Sequence, residues 1–207
     1  MRIKYCWIFL VLVVVSCGDL NKKMDLIEID ETFRAGDLEE ARIDIKEYLK
    51  KTKDNEYAWT LLGHINSEMD KDSLAIVAYE KALKINQTTE EALTGLGILA
   101  RKEGDYLKAT EYYEKAIEIN PKYAQAYSSL VTIYLKQKNF EKAVEVGVKG
   151  YRLDKSDPTI ASNLSVAYHY FGDIQKRDEY YKIAEQNGYK NIEALKQIFD
   201  GELTVFD

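Results

Sequence analysis

The sequence predicts an all-α solenoid of five helical hairpins closed by one further helix, on three observations. Alanines recur at Ala41, Ala75, Ala109 and Ala143, each 34 residues after the last. Leucines keep that interval at Leu62, Leu96, Leu130 and Leu164, and tyrosines at Tyr79, Tyr113 and, past one unit, Tyr181. Turn-forming pairs Gly36-Asp37, Gly104-Asp105 and Gly172-Asp173 stand two periods apart, with Asp70-Lys71 and Lys138-Asn139 between them. Self-similarity at a fixed interval of this size marks a repeat architecture.

Five contiguous units follow: 22–55, 56–89, 90–123, 124–157 and 158–191. Within each, apolar residues recur at helical spacing in two stretches. Gly63, Ala75, Ala82, Gly97, Ala109 and Ala116 are small enough to let two antiparallel helices approach closely. The glycine of the turn ends the first helix without a Cβ penalty, and the Asp after it can cap the second. One such pair is too thin to bury a core of its own, so the units must stack.

The run W-T-L-L-G from Trp59 to Gly63, followed by Ala75-x3-Tyr79 and Ala82, resembles the tetratricopeptide repeat (TPR). The next unit repeats the likeness with Leu93, Leu96-Gly97, Ala109-x3-Tyr113, Ala116 and Pro121. The resemblance implies a right-handed superhelical solenoid over 22–191, of about five helix-turn-helix units. Three units depart from the pattern. The first lacks the Trp and Leu-Gly residues and has Tyr48 in an alanine place; the last has Arg177 in another. The unit 124–157 has Val131, Gly147 and Gly150 at signature positions, and such departures predict looser or altered packing, not a different fold. Residues 192–207 complete the chain: Ile192, Leu195, Ile198 and Phe199 form one apolar stripe on a capping helix. Gly201 stops that helix, and Leu203, Val205 and Phe206 fall in a tail that is frayed, folded back, or offered to another protein.

At the other end, Arg2 and Lys4 precede the apolar run Tyr5 to Val15, and Ser16 supplies a small residue before Cys17: the layout of a secretory signal over residues 1–16. The run is too short to span a bilayer, which takes ~20 residues. Taken alone, these residues also fit an ordinary leader that ends near a cysteine, or an uncleaved anchor. Val14-Val15-Ser16-Cys17 resembles the bacterial lipoprotein box, which implies cleavage before Cys17 and lipidation of its thiol. Residues 17–21 are then a lipidated N-terminus and short linker, and the acyl chains hold the protein to a membrane of the cell envelope, the outer membrane in the first instance.

With 29 basic against 35 acidic residues and a net charge of −6, the chain argues against binding a nucleic-acid backbone, whose affinity rests on basic side chains. Its two cysteines, Cys6 and Cys17, leave the body without a disulfide framework, thiol nucleophile or cysteine metal site. Gly95-x-Gly97-x-x-Ala100 copies a dinucleotide fingerprint in letters, but it lies within a helix instead of joining a strand to one. No enzyme, cofactor or small-molecule substrate is expected. The two histidines, His64 and His169, sit three units apart and read as solvated groove residues, since a metal site needs further ligands close by.

The resemblance further implies a concave groove lined by the first helices. Its partner-binding candidates are Tyr57, Thr60 and His64 in the second unit, and Thr94, Ile98 and Arg101 in the third, with Glu91 beside them. Gln125, Ser128, Thr132 and Lys136 follow in the fourth, with Leu135, and Ser162, His169 and Tyr170 in the fifth, with Val166. This surface is mixed and hydroxyl-rich. The Lys and Asn residues with which some family members clamp a chaperone's C-terminal carboxylate are absent: Thr60, His64, Gly95, Gln125 and Ser129 stand there. The expected function is therefore a membrane-tethered scaffold that binds a partner protein's extended segment or helix. A structural subunit of an envelope complex, contacting its partners through the convex face or ends, is the second reading.

Overall fold

The computed structural model describes residues 18–206, with side chains from residue 26 onward. The leader-like segment and Cys17 lie outside the described residues. Eleven helices and no strand occur among them. The first helices of the units are α1 (Gly18–Ala35), α3 (Glu56–Glu68), α5 (Glu90–Lys102), α7 (Ala124–Lys136) and α9 (Pro158–Phe171). The second helices are α2 (Leu38–Lys51), α4 (Asp72–Ile85), α6 (Tyr106–Ile119), α8 (Phe140–Leu153) and α10 (Ile174–Gln186), and α11 (Ile192–Phe199) closes the stack. From α3 onward every first helix starts 34 residues after the last, and all five second helices keep the same register. The period read from alanines and leucines is thus the period of the backbone. Residues 18–21, assigned above to a linker, are the first turn of α1.

The turns explain how the hairpins close. Gly36, Gly104 and Gly172 adopt φ of +92°, +83° and +93°. Asp70 and Lys138 hold the same left-handed turn with φ of +54° and +58°. A side chain there meets its own backbone, at a cost of ~1 kcal/mol or more for a residue other than Gly, Asn or Asp. Lys138→Gly is therefore expected to raise stability by about 1 kcal/mol, a few degrees in a thermal melt, despite losing the contact of its ammonium with the Phe206 ring. An unchanged or lower melting temperature would show that the turn is not strained. The caps divide unevenly. Asp105 and Asp173 accept from the backbone N–H of Lys108 and Lys176, as expected, and Asn139 does the same for Lys142. Asp37 makes no such bond.

Each first helix packs on the next first helix and on the second helices of its own and the preceding unit, while the backbones of the second helices stay apart. The stack therefore curves, with the first helices on its concave side. The core lies between the layers, and tyrosine rings act as its wedges. The Tyr79 ring of α4 fills the space between Gly63 and Gly95, where an added Cβ would stand 2.4 Å and 2.3 Å from ring atoms. The Tyr113 ring lies equally close to Gly97, at 2.5 Å. Both glycines of the fingerprint-like run are thus packing sites for two different rings.

In the unit 124–157 the packing is altered and not loosened. Val131 occupies the place of Gly63 and Gly97, and Gly147 the place of Tyr79 and Tyr113, so the bulk has moved from one helix to the other. Val131 and Leu164 are fully buried there, and a Cβ on Gly147 would come within 2.7 Å of Leu164 and 3.2 Å of Val131. Gly150 likewise admits Ile160 and Tyr127. Arg177 stands in an alanine place because its neighbour is α11: the guanidinium lies 5.0 Å from the Phe199 ring centre and pairs with Asp178.

Candidate partner-binding groove

Two clefts open on the concave face among the described residues. The first, of about 580 Å³, is bounded by Asp30, Phe33 and Arg34 of α1, by Glu56, Tyr57, Thr60, Leu61, His64 and Glu68 of α3, and by Asn86, Thr88 and Thr89 before α5 with Glu90 and Glu91 at its start. Its charge is one-sided. Five carboxylates (Asp30, Glu56, Glu68, Glu90, Glu91) face a single guanidinium, Arg34, which is already paired with Asp30 at 2.8 Å. Glu90 also accepts from the Asn120 side chain at 2.8 Å. The Tyr57 side chain is half-exposed at the rim, with its hydroxyl held in the neutral form by burial and by Asp30.

His64 is not a solvated groove residue. Its Nδ1 lies 3.0 Å from the Tyr79 hydroxyl, at the floor of the cleft. Burial lowers its pKa, against an opposing effect of Asp30, and burial pushes the Tyr79 hydroxyl strongly up. A neutral imidazole and a neutral phenol therefore share this hydrogen bond. Because the folded-state pKa lies below that of the unfolded chain, the unfolded state binds more protons in mildly acidic solution. Stability is full above the ordinary histidine pKa and falls as the pH drops through it toward the folded value. His169 shifts in the same direction and adds to the loss. The melting temperature is expected to fall between pH 7 and 5, and to fall less in a His64→Gln variant. An equal slope in that variant would remove His64 from the account.

The second cleft, of about 470 Å³, joins Arg101 of α5 to Gln125, Ser128, Ser129 and Thr132 of α7 and to Asp157, Thr159 and Asn163 around the start of α9. The Asn163 amide donates to the Ser128 carbonyl and hydroxyl at 3.2 Å and 3.0 Å, tying the two helices together on the groove side. Between the clefts, the Tyr123 hydroxyl is pushed up to about 12, chiefly by burial and then by Glu91.

The structure thus brings Tyr57, Thr60 and His64 into one cleft and Arg101, Gln125, Ser128 and Thr132 into the other. The rest divide. Ile98 is half-buried against the core around α7, and Lys136 is half-exposed at the end of that helix. Thr94 and Ser162 are buried to within 1% and present almost no surface to a partner. The hydroxyls of Thr60, Thr132 and Ser162 donate to carbonyls of their own helices, Glu56, Ser128 and Thr159. A hydroxyl-rich sequence has produced a less hydroxyl-presenting surface. His169 and Tyr170 lie under the C-terminal segment. Phe199 of α11 rests 5.1 Å from His169, and Tyr170 stacks on Phe140 at 5.3 Å and meets Phe206 of the tail at 5.0 Å. Burial and then Arg177 lower the His169 pKa, so this histidine too is neutral and covered.

Asp30, Phe33, Arg34, Asp157 and Asn163 escaped the sequence reading. The first three sit on α1, whose unit lacks the signature residues that set the register elsewhere. Among the described residues no helix is long and apolar enough to cross a membrane, and no group of three His, Cys, Asp or Glu is placed to hold a metal ion.

Comparison with known proteins decides the family. Residues 13–160 match the model of the cytochrome c-type biogenesis protein H TPR domain. The chain belongs to this TPR family. A curated relative, peroxisome biogenesis protein 5 of Arabidopsis thaliana, is 37% identical over 71 residues, which are 34% of this chain and 10% of that protein. The TPR protein described here thus spans about a tenth of the relative it matches. Among solved structures, PilF of Pseudomonas aeruginosa superposes with a TM-score of 0.75 at 19% identity, over 89% of this chain and 86% of that one. YrrB, described as a TPR protein with an unusual peptide-binding site, does so with a TM-score of 0.61 at 16% identity, over 91% and 99%. At such identities these likenesses speak for the fold alone.

Proposed function

We propose that this TPR protein is a scaffold, held at a bacterial envelope membrane by a lipid on Cys17, that takes a segment of a partner protein in its concave groove. The observation that carries the reading is the pair of polar clefts on successive first helices, one acidic and one containing Arg101. A segment running along the groove would set basic residues against Glu56, Glu68, Glu90 and Glu91 and a carboxylate or carbonyl against Arg101, so that charge fixes its direction. Half-exposed Tyr57 offers an aromatic anchor at the acidic end. YrrB's described peptide-binding site is consistent with a groove of this kind on a similar fold. The tether rests on Val14-Val15-Ser16-Cys17. It would confine scaffold and partner to two dimensions, raising their effective concentration without any new contact.

A photo-reactive residue in place of Thr132, cross-linked in intact cells and read by mass spectrometry, tests the groove. One dominant protein adduct is expected. No groove adduct from a protein that still co-purifies in a complex would move the contacts to the convex face or ends and make it a structural subunit. The tether is tested apart from this: Cys17→Ser should abolish both acyl mass and membrane attachment, and retention of both would remove it.

A further inference from the structure

A further cleft lies on the convex side, away from the proposed partner groove. It measures about 960 Å³ and opens between the C-terminal halves of α2 and α4, which splay apart over α3. Leu49, Trp59, Leu62 and Ile85 make its floor, and Lys46, Lys50, Lys53, Lys81 and Lys84 its walls, with Asp54 the one acidic residue. Five ammonium groups around an apolar floor are out of keeping with a chain of net charge −6.

Part of this charge is used internally. Lys50 pairs with Glu47, and the Lys81 ammonium sits 4.2 Å above the Trp59 ring centre. Lys46, Lys53 and Lys84 have no ion pair among the described residues. The Trp59 indole N–H donates to the Lys53 carbonyl at 2.8 Å, which leaves the ring an apolar, polar-satisfied platform. Complementing helix dipoles at the ends of α2 and α4 would account for one or two of these lysines, but not for five converging on one aromatic floor.

Topology says what this surface faces. Because α1 and α2 are antiparallel across the Gly36 turn, the last turn of α2 lies at the same end of the stack as Gly18. α1 is four residues longer than α2, so its start stands ~6 Å beyond the lysine-bearing end at the helical rise. The end of α4 falls on that side as well, since α3 and α4 repeat the hairpin. We infer that the cleft of Lys46, Lys50, Lys53, Lys81 and Lys84 around Trp59 docks on the anionic headgroups of the membrane to which the chain is tethered. This rests on the proposed tether at Cys17. Lysines near an anionic surface are attracted to its phosphates, and a tryptophan floor suits the interfacial layer. With acyl chains supplying the hold, the lysines set orientation: this end toward the lipid, the rest of the stack away from it.

Trp59 supplies the readout, since Trp7 is the other tryptophan in the sequence. The protein extracted from its membrane, expressed with Trp7→Phe so that any uncleaved leader adds no indole, is reconstituted into phosphatidylcholine vesicles with or without 30% phosphatidylglycerol, with brominated lipid as quencher. Attachment is scored separately by flotation. Trp59 emission is expected to be quenched severalfold more in the anionic vesicles. Lys46→Glu, Lys53→Glu and Lys84→Glu together should return it to the neutral-vesicle level, as should high salt, with helicity unchanged by circular dichroism. Equal quenching in both vesicles, or none in either while the protein still floats, overturns the docking and leaves the tether standing. Quenching by anionic vesicles without flotation on neutral ones supports the docking and counts against membrane attachment through the N-terminal segment. If soluble poly-glutamate shifts Trp59 emission and anionic vesicles do not, the cleft binds an acidic protein segment and the membrane assignment falls.

Discussion

Gly97→Val is expected to destabilise the protein by about 3 kcal/mol or more, because the new side chain must enter space held by the Tyr113 ring, 2.5 Å from where its Cβ would stand. Tyr113→Gly should cost a similar or larger amount by leaving a cavity in place of a fully buried ring. The two changes together reproduce what the next unit already has, Val131 facing Gly147 with Leu164 filling in. Leu130 stands ready to play the part of Leu164 one unit earlier, and it is buried. The double variant should therefore be more stable than the sum of the single costs by at least 1 kcal/mol, a coupling that denaturant unfolding of the four proteins would measure. Strict additivity would mean that the exchange of bulk between helices is a coincidence of sequence and not a packing solution.

Leu195→Ala should cost about 2–4 kcal/mol. This leucine of α11 is the buried point of the capping helix, and around it Phe199, Ile192 and Ile198 cover His169, Tyr181 and the core at the end of the stack. In a solenoid each unit contacts only its neighbours, so the loss should be local. Hydrogen exchange is expected to quicken in α9, α10 and α11 while α3 and α4 keep their protection. Uniform loss of protection along the chain would instead show a single cooperative unit. The same experiment bears on the tail. Once α11 loosens, the Phe199 contact with His169 and the Phe206 contacts with Phe140 and Tyr170 should go as well, exposing His169 and Tyr170, the two residues that the sequence placed in the open groove.

How much of the candidate site was legible follows from which residues carry the period. Tyr57, Thr60 and His64 in one cleft, and Arg101, Gln125, Ser128 and Thr132 in the other, could be assigned because the repeat register says which face of a first helix looks inward. The register does not say how deep a side chain sits. Thr94 and Ser162 share that face, yet neighbouring first helices close over them, and Thr60, Thr132 and Ser162 turn their hydroxyls back to their own backbones. The first cleft was only partly visible because Asp30, Phe33 and Arg34 belong to a unit without signature residues, and Glu56 and Glu68 meet Glu90 and Glu91 only when α5 stacks on α3.

What the sequence determined by itself is the repeat. Helix starts at 56, 90, 124 and 158, second helices in step with them, and the left-handed turn between the two helices of each unit all follow from residues that recur every 34 positions. Such features are local, and a period repeated five times makes each reading check the others. The tertiary structure alone decided the rest. It set Val131 against Gly147, folded α11 and Phe206 over His169 and Tyr170, and buried His64 beside the Tyr79 hydroxyl. It also gathered lysines from two helices around Trp59. These contacts join residues that share no period, and only the stacking of one unit on the next, with a non-repeating segment at the end, brings them within reach.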